Sequence, residues 1–308
     1  MKLRYPSLLL GLAVLSLGFL SASAAPLHVL YFTKSSGYEH SVVKRTDGKP
    51  SYSENVLAAL GQKHDVNIDF TFSKDGSLFS PEYLAKFDVI MFFTSGDLLS
   101  EGTDKQPALT AAGKQALLDA VAGGKGFVAL HAGTDTFHTG ESGGGNNPIR
   151  FPRFKNYGDA SDPYIKLIGG EFIKHGPQQV AKATVADPKF PGFGDLGGVI
   201  NVQEEWYTLK DFAANDHVLL VMQTEGMKGT DYVRPPYPLA WAREYGKGRV
   251  ASNAMGHRED VWDSAAYQSM LVGMLKWAGG VVQADVTPTL DKVTPGHATL
   301  QVPGPDTK

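Results

Sequence analysis

The sequence contains no cysteine. That absence excludes thiol nucleophiles, thiolate metal sites and disulfides, so the fold must be stable through its core alone. A basic excess is also missing: the formal charge is −3, and no stripe of lysine and arginine runs along the chain. Nucleic acid is therefore not an expected partner. No GxGxxG or phosphate-binding loop follows the first strand candidate, and no HExxH pair is present. The one long apolar run, Leu8–Leu20, is too short, and too soon followed by small polar residues, for a stable membrane span.

What is present near the start is an export pattern. Lys2 and Arg4 precede the apolar run, and Ala22-Ser23-Ala24 fits a small-residue cleavage site. Residues 1–24 are expected to be a cleaved signal peptide, giving a periplasmic or secreted protein. Losing Lys2 and Arg4 would take the formal charge from −3 to −5.

From Leu27 the pattern alternates. Leu27–Thr33, Val66–Phe72 and Phe87–Phe93 read as strands, the last almost continuously apolar, as in a sheet covered on both faces. Ser53–His64 and Thr110–Ala122 have helical spacing, the second ended by Gly123-Gly124. Phe127–Leu130 is a further buried strand. The second half is less regular, with strand candidates at Val180–Ala186 and His217–Gln223. A hairpin is expected over Leu239–Tyr245 and Arg249–Ala254, and an amphipathic helix over Tyr267–Ala278. The expectation is one α/β domain over residues 27–280, a doubly wound, mostly parallel sheet. Gly140–Asn147 is too glycine-rich for regular structure, and residues 281–308 read as a polar, solvated tail.

Polar residues gather after the strands. Tyr38 and His40 follow the first, Asp97 follows FDVIMFFT, His131–Asp135 follows FVAL, and His257 follows the last strand candidate. In open α/β sheets, ligands bind beyond the carboxyl ends of the strands. GKGFVALHAGTD is the sharpest of these segments. It has the form of a strand-to-helix elbow, but an imidazole, His131, stands where many α/β enzymes carry serine or cysteine. Each residue also has a plainer use. Asp97 and Asp135 suit helix caps, His40 suits an ordinary loop, and Trp206-Tyr207 suits core packing.

GKGFVALHAGTD, IGGEFIKHGPQQ, EEWYTLKDF and PLAWAREYGKGRVASNAMGH together resemble the ThuA-like, or trehalose-utilisation, domain, from about Leu27 to Gly280. The positions that carry the resemblance are Gly37, His40, His131, Gly133, Thr134, Asp135, His175, Gln178, Glu205, Trp206, Tyr207 and His257. It implies a flavodoxin-like fold, similar to class I glutamine amidotransferases, and a role with trehalose or related disaccharides alongside dehydrogenases that make 3-keto sugars. Amidotransferase activity does not carry over, because the elbow cysteine is absent.

Two kinds of chemistry stay open. His131, His175 and His257, with His40 and Glu205 as additions, suit a zinc-like divalent transition metal. Without metal, His131 and His257 could exchange protons with a keto sugar, Asp135 orienting His131. Tyr38, His40, Asp97, Thr134, Gln178 and Glu205 are candidate substrate contacts, with Trp206 and Tyr207 as an apolar platform for a sugar. Glu204-Glu205 offers a carboxylate pair, but glycoside hydrolysis needs a set separation. A carbohydrate lyase, isomerase or hydrolase and a non-catalytic sugar-binding protein both fit. Oligomeric state is not readable from the sequence.

Overall fold

The computed structural model describes residue 1 and residues 25–63, 65–140 and 153–300. The expectations for the signal peptide, for 141–147 of the glycine-rich loop and for 301–308 lie outside the described residues.

The first half follows the expected alternation. β1 (Leu27–Phe32) leads to α1 (Tyr52–Gly61), whose start is set by a capping box. Ser51 Oγ accepts from Glu54 N, and Glu54 Oε2 accepts from Ser51 N at 2.8 Å. β2 (Ile68–Ser73), α2 (Pro81–Leu84) and β3 (Val89–Phe92) follow. α3 (Ala111–Ala122) is capped by Thr110 and leads to β4 (Gly126–Leu130). β3 and β4 are buried throughout, which is why both read as unbroken apolar runs.

The second half contains α4 (Pro163–Ile168), β5 (Glu171–His175), β6 (Gln179–Val185), β7 (Val199–Glu204), β8 (Tyr207–Lys210) and β9 (His217–Met222). β10 (Tyr237–Tyr245) and β11 (Gly248–Asn253) form the hairpin, turned by Gly246 at φ 60° and Lys247. α5 (Glu259–Asp263), α6 (Ala265–Ala278) and α7 (Leu290–Val293) complete the chain. β5, β7 and β8 are short or mixed in polarity, and period-two patterning does not reveal them.

The main sheet has the order β2-β1-β3-β4-β11-β10-β9-β6-β7. Pairing is parallel from β2 to β11 and antiparallel from β11 to β7. Its parallel part has the strand order of a flavodoxin-like fold. Helices cover both faces. Leu57 of α1, Trp262 of α5 and Met270 and Met274 of α6 fill one core. Leu117 and Val121 of α3 with Tyr164 and Ile168 of α4 fill the other. β5 and β8 form a separate antiparallel pair.

The expected solvated tail is corrected over its described part. Leu290 is buried with Val218 and Val221, and Thr289 Oγ1 accepts from Val218 N at 2.8 Å. Arg234 Nη2 donates to the carbonyl of His297 at 2.8 Å. Only two apolar side chains of α7, Leu290 and Val293, contribute to the packing, too few for a periodic signal. None of the described helices is long and apolar enough to cross a membrane.

Candidate functional site

The carboxyl ends of β1, β4 and β11 converge with the end of β7. β4 runs straight into a 3-10 turn over His131–Asp135, and His131 takes φ 41°. This left-handed conformation is costly for a residue with a side chain and is characteristic of strained functional turns. The turn is packed tightly beneath: a Cβ on Gly133 would stand 3.0 Å from the carbonyl oxygen of Phe92. Thr134 Oγ1 closes it by donating to the His131 carbonyl at 2.8 Å, so Thr134 is spent on the turn. The ring of His131 is fully buried, with its Nδ1 2.8 Å from the carbonyl oxygen of Ala254. A carbonyl only accepts, so Nδ1 donates to it and Nε2 is the ring atom turned toward the cluster.

Nε2 faces Glu205. Its Oε2 lies 3.5 Å from His131 Nε2, 2.9 Å from His257 Nδ1 and 4.0 Å from His40 Nε2. One donor atom from each of His40, His131, Glu205 and His257 lies within 4.8 Å of all the others. Neither His131 Nε2 nor His257 Nδ1 makes a properly directed hydrogen bond, although both are buried. The 2.9 Å contact of His257 with Glu205 is thus an ion-pair approach without hydrogen-bond alignment. Three imidazoles and one carboxylate form a buried group that could hold a metal ion. Ligands ~2.1 Å from a tetrahedral zinc stand about 3.4 Å from one another, and the distances to Glu205 Oε2 bracket that value.

The surrounding electrostatics fit a ligand set. Burial, reinforced by the neighbouring His131 and His257, holds His40 well below the usual histidine range and therefore neutral. Burial opposes charge on Glu205 too, but His131 and His257 outweigh it and keep the carboxyl ionised, well below its ordinary range. The same pairing raises His257 against the cost of its burial.

Glu204, which sequence reasoning passed over as half of a carboxylate pair, organises the loop. It is fully buried. Its Oε2 accepts from the backbone N–H groups of Gly256 at 2.9 Å and His257 at 3.2 Å, and its Oε1 from Glu205 N at 2.7 Å. β7 stands far from β11 in the sheet order, yet this carboxylate ties its end to the loop after β11. Burial raises its pKa despite these bonds. With both oxygens occupied by backbone donors, Glu204 is not placed to act as one of two glycosidase carboxylates.

Other expected residues fall elsewhere. Asp135 does not orient His131; it bonds His138 Nε2 at 2.5 Å, and the Ala254 carbonyl fixes the His131 ring. His138 Nδ1 in turn meets Glu171 Oε1 at 3.0 Å, a network in neither motif nor spacing. His175 is outside the group of four. Its half-exposed ring stacks near Tyr207, with Nδ1 3.4 Å from the other Glu205 oxygen. Trp206 is fully buried and donates its indole N–H to the Gln179 carbonyl, so it is core and not a sugar platform. Tyr207 is buried between His131 and Phe172, ring centroids at 4.0 and 4.1 Å, and its hydroxyl lies 3.3 Å from His40 Nε2. Asp97 Oδ1 accepts from Leu99 N within its own turn. Gln178 is exposed and accepts from Arg258 Nη1 at 2.9 Å. Tyr38 is exposed, its ring edge-on to His40 at 4.9 Å.

The family profile described as trehalose utilisation, ThuA, matches residues 28–278. The chain belongs to the ThuA family. Among solved structures, this ThuA-family chain is similar to a putative ThuA-like protein from Bacteroides uniformis ATCC 8492. They share 17% identity at a TM-score of 0.58, over 85% of this chain and 95% of that one. A putative ThuA-like protein from Parabacteroides merdae ATCC 43184 shares 17% identity at a TM-score of 0.56, over 87% and 96%. A cytoplasmic protein of Salmonella typhimurium LT2 shares 16% identity at a TM-score of 0.51, over 82% and 99%. At these identities the likeness shows the ThuA fold alone. A comparison with curated proteins finds no match.

Proposed function

We propose that this ThuA-family protein is an exported enzyme that uses a divalent transition metal, held by His40, His131, His257 and Glu205, to act on a small carbohydrate. One observation carries the metal. His131 Nε2 and His257 Nδ1 are buried without a directed hydrogen bond and lie 3.5 and 2.9 Å from the same Glu205 oxygen. A divalent cation would engage all four converging atoms at once. The family description supports the carbohydrate, and the basic n-region, apolar run and Ala22-Ser23-Ala24 support export.

The favoured substrate is a 3-keto disaccharide, whose carbonyl acidifies the neighbouring C–H bonds. A bound divalent cation supplies Lewis-acid polarisation of such a carbonyl. The chain supplies the rest. The Ala254 carbonyl orients the His131 ring, Glu204 holds the His257 loop, and the buried Tyr207 hydroxyl lies 3.3 Å from His40 Nε2.

The test is metal analysis of purified mature protein, joined to turnover assays on native and 3-keto disaccharides before and after chelation. Stoichiometric metal and chelator-sensitive turnover of a keto disaccharide are expected. Protein that stays metal-free in the presence of zinc, cobalt and manganese would overturn the metal centre. Absence of turnover on every sugar by loaded protein would overturn the enzyme. Amino-terminal analysis of protein from the extracellular or periplasmic fraction checks cleavage after Ala24.

A further inference from the structure

The buried position of Trp206 and Tyr207 leaves the site without the sugar platform expected there. One aromatic ring does face solvent at its mouth. Tyr38 is 66% exposed, and its ring meets the edge of His40 with centroids 4.9 Å apart and planes at 89°. His40 is itself 4.9 Å from the ring of His131 and 5.0 Å from that of His257, so Tyr38 adjoins the buried cluster directly.

Single exposed aromatics are common and need no explanation. Tyr38 differs in how firmly its backbone is held. Ser95 Oγ donates to the Tyr38 carbonyl at 2.7 Å, and Thr103 Oγ1 donates to the Gly37 carbonyl at 2.7 Å. Ser36 N and Gly37 N both donate to the Ser95 carbonyl, at 2.7 and 3.0 Å. The loops after β1 and β3 pass so closely that a Cβ on Gly96 would stand 2.5 Å from Gly37 N. A pinned backbone lowers the entropy lost when a ligand settles on the ring, and rigid exposed aromatics bind at low ordering cost.

Resting on the carbohydrate reading above, we propose that Tyr38 is the stacking platform of a pyranose subsite at the mouth of the histidine cluster. The apolar C–H face of one sugar ring lies on the phenol. The half-exposed His175, against Glu205 Oε1, offers a polar partner for hydroxyl groups. A ring stacked on Tyr38 keeps its hydroxyls directed outward to polar groups, which is the division of labour an amphipathic aromatic supports. The ligand class is a cyclic sugar in a disaccharide, in contrast to an acyclic polyol with the same hydroxyl chemistry and no ring face.

The experiment measures binding of trehalose and of sorbitol to metal-loaded wild-type protein and to Tyr38→Ala, Tyr38→Phe and Tyr38→Trp, by saturation-transfer NMR and calorimetry. Trehalose should bind wild type better than sorbitol. Tyr38→Ala should weaken trehalose roughly tenfold, equivalent to about 1.4 kcal/mol. Tyr38→Phe and Tyr38→Trp should stay within roughly threefold of wild type, about 0.7 kcal/mol. Thermal unfolding and metal content of each variant should match wild type, because the ring contributes little to the core. Undiminished trehalose binding by Tyr38→Ala overturns the platform and leaves the carbohydrate reading standing. Equal losses for trehalose and sorbitol overturn the ring-face basis. Failure of wild type to bind trehalose or any tested keto disaccharide overturns both readings together.

Discussion

Nε2 of His131 stands 3.5 Å from Oε2 of Glu205, and the same oxygen lies 2.9 Å from Nδ1 of His257. A single carboxylate oxygen thus occupies the point at which imidazoles from two neighbouring parallel strands converge. The Ala254 carbonyl turns one imidazole toward that point, and Glu204 holds the loop that carries the other.

The strain at His131 gives a stability prediction opposite in sign to the usual one. Its φ of 41° suits glycine and disfavours any Cβ. In the presence of chelator, His131→Gly should be more stable than His131→Ala by about 1 kcal/mol. Both variants should lose metal and turnover. Urea denaturation of the pair decides the matter, and an alanine variant as stable as the glycine variant rules out backbone strain at the turn.

Replacing Glu204 by glutamine retains shape but sets an NH2 group against backbone N–H donors on one side. Glu204→Gln should cost about 1–3 kcal/mol of stability through the unsatisfied donors. Metal affinity should fall roughly 10–100-fold, as for other residues that orient ligands without touching the ion. Calorimetric zinc titration would falsify the positioning role if the two proteins bound alike.

The buried pairing of His138 with Asp135 and Glu171 makes stability depend on pH. Burial alone would lower the imidazole pKa, but the two carboxylates outweigh it and raise His138 to about 10. A folded value above the unfolded one, about 6.5, means the contribution is complete below that pH and fades as pH rises through about 10. Glu171 is shifted the opposite way: His138 and Lys210 overcome its burial and lower it. Its share is complete above about pH 4.3 and fades on acidification. Wild type should therefore lose unfolding free energy between pH 6.5 and 9.5, while His138→Gln gives a flatter curve. Parallel curves from urea melts across that range would contradict the assignment.

Trp206 and Tyr38 should separate cleanly by stability. Trp206→Ala removes a fully buried ring and should cost about 3–5 kcal/mol. Tyr38→Ala should change stability by no more than about 0.5 kcal/mol. Denaturant midpoints of the two variants measure this directly; a small effect at Trp206 would return it to the candidate sugar contacts.

Much of the fold was legible because period and burial agree in the first half. The continuous apolar runs of β3 and β4 sit in the sheet interior, and the capping box of Ser51 and Glu54 marks a helix start locally. β5, β7 and β8 were not legible. Their residues mix polar and apolar types, since they carry buried charges such as Glu171, Glu204 and Lys210. The wrapping of residues 281–300 was missed for a related reason: much of what holds it is hydrogen bonding to Val218 and Arg234, which leaves no hydrophobic pattern.

The sequence by itself determined the absence of thiol chemistry, the alternation that builds a doubly wound sheet, and the histidine placed on the turn after β4. Those are properties of residue type and short-range spacing. Tertiary structure decided which acidic group joins the histidines, selecting Glu205 and placing Asp135 with His138. It also buried Trp206, an expected platform, and left the Tyr38 ring exposed. Side chains meet across a crevice according to strand order and loop path, and pairing between β7 and the loop after β11 is fixed only once the whole sheet has closed.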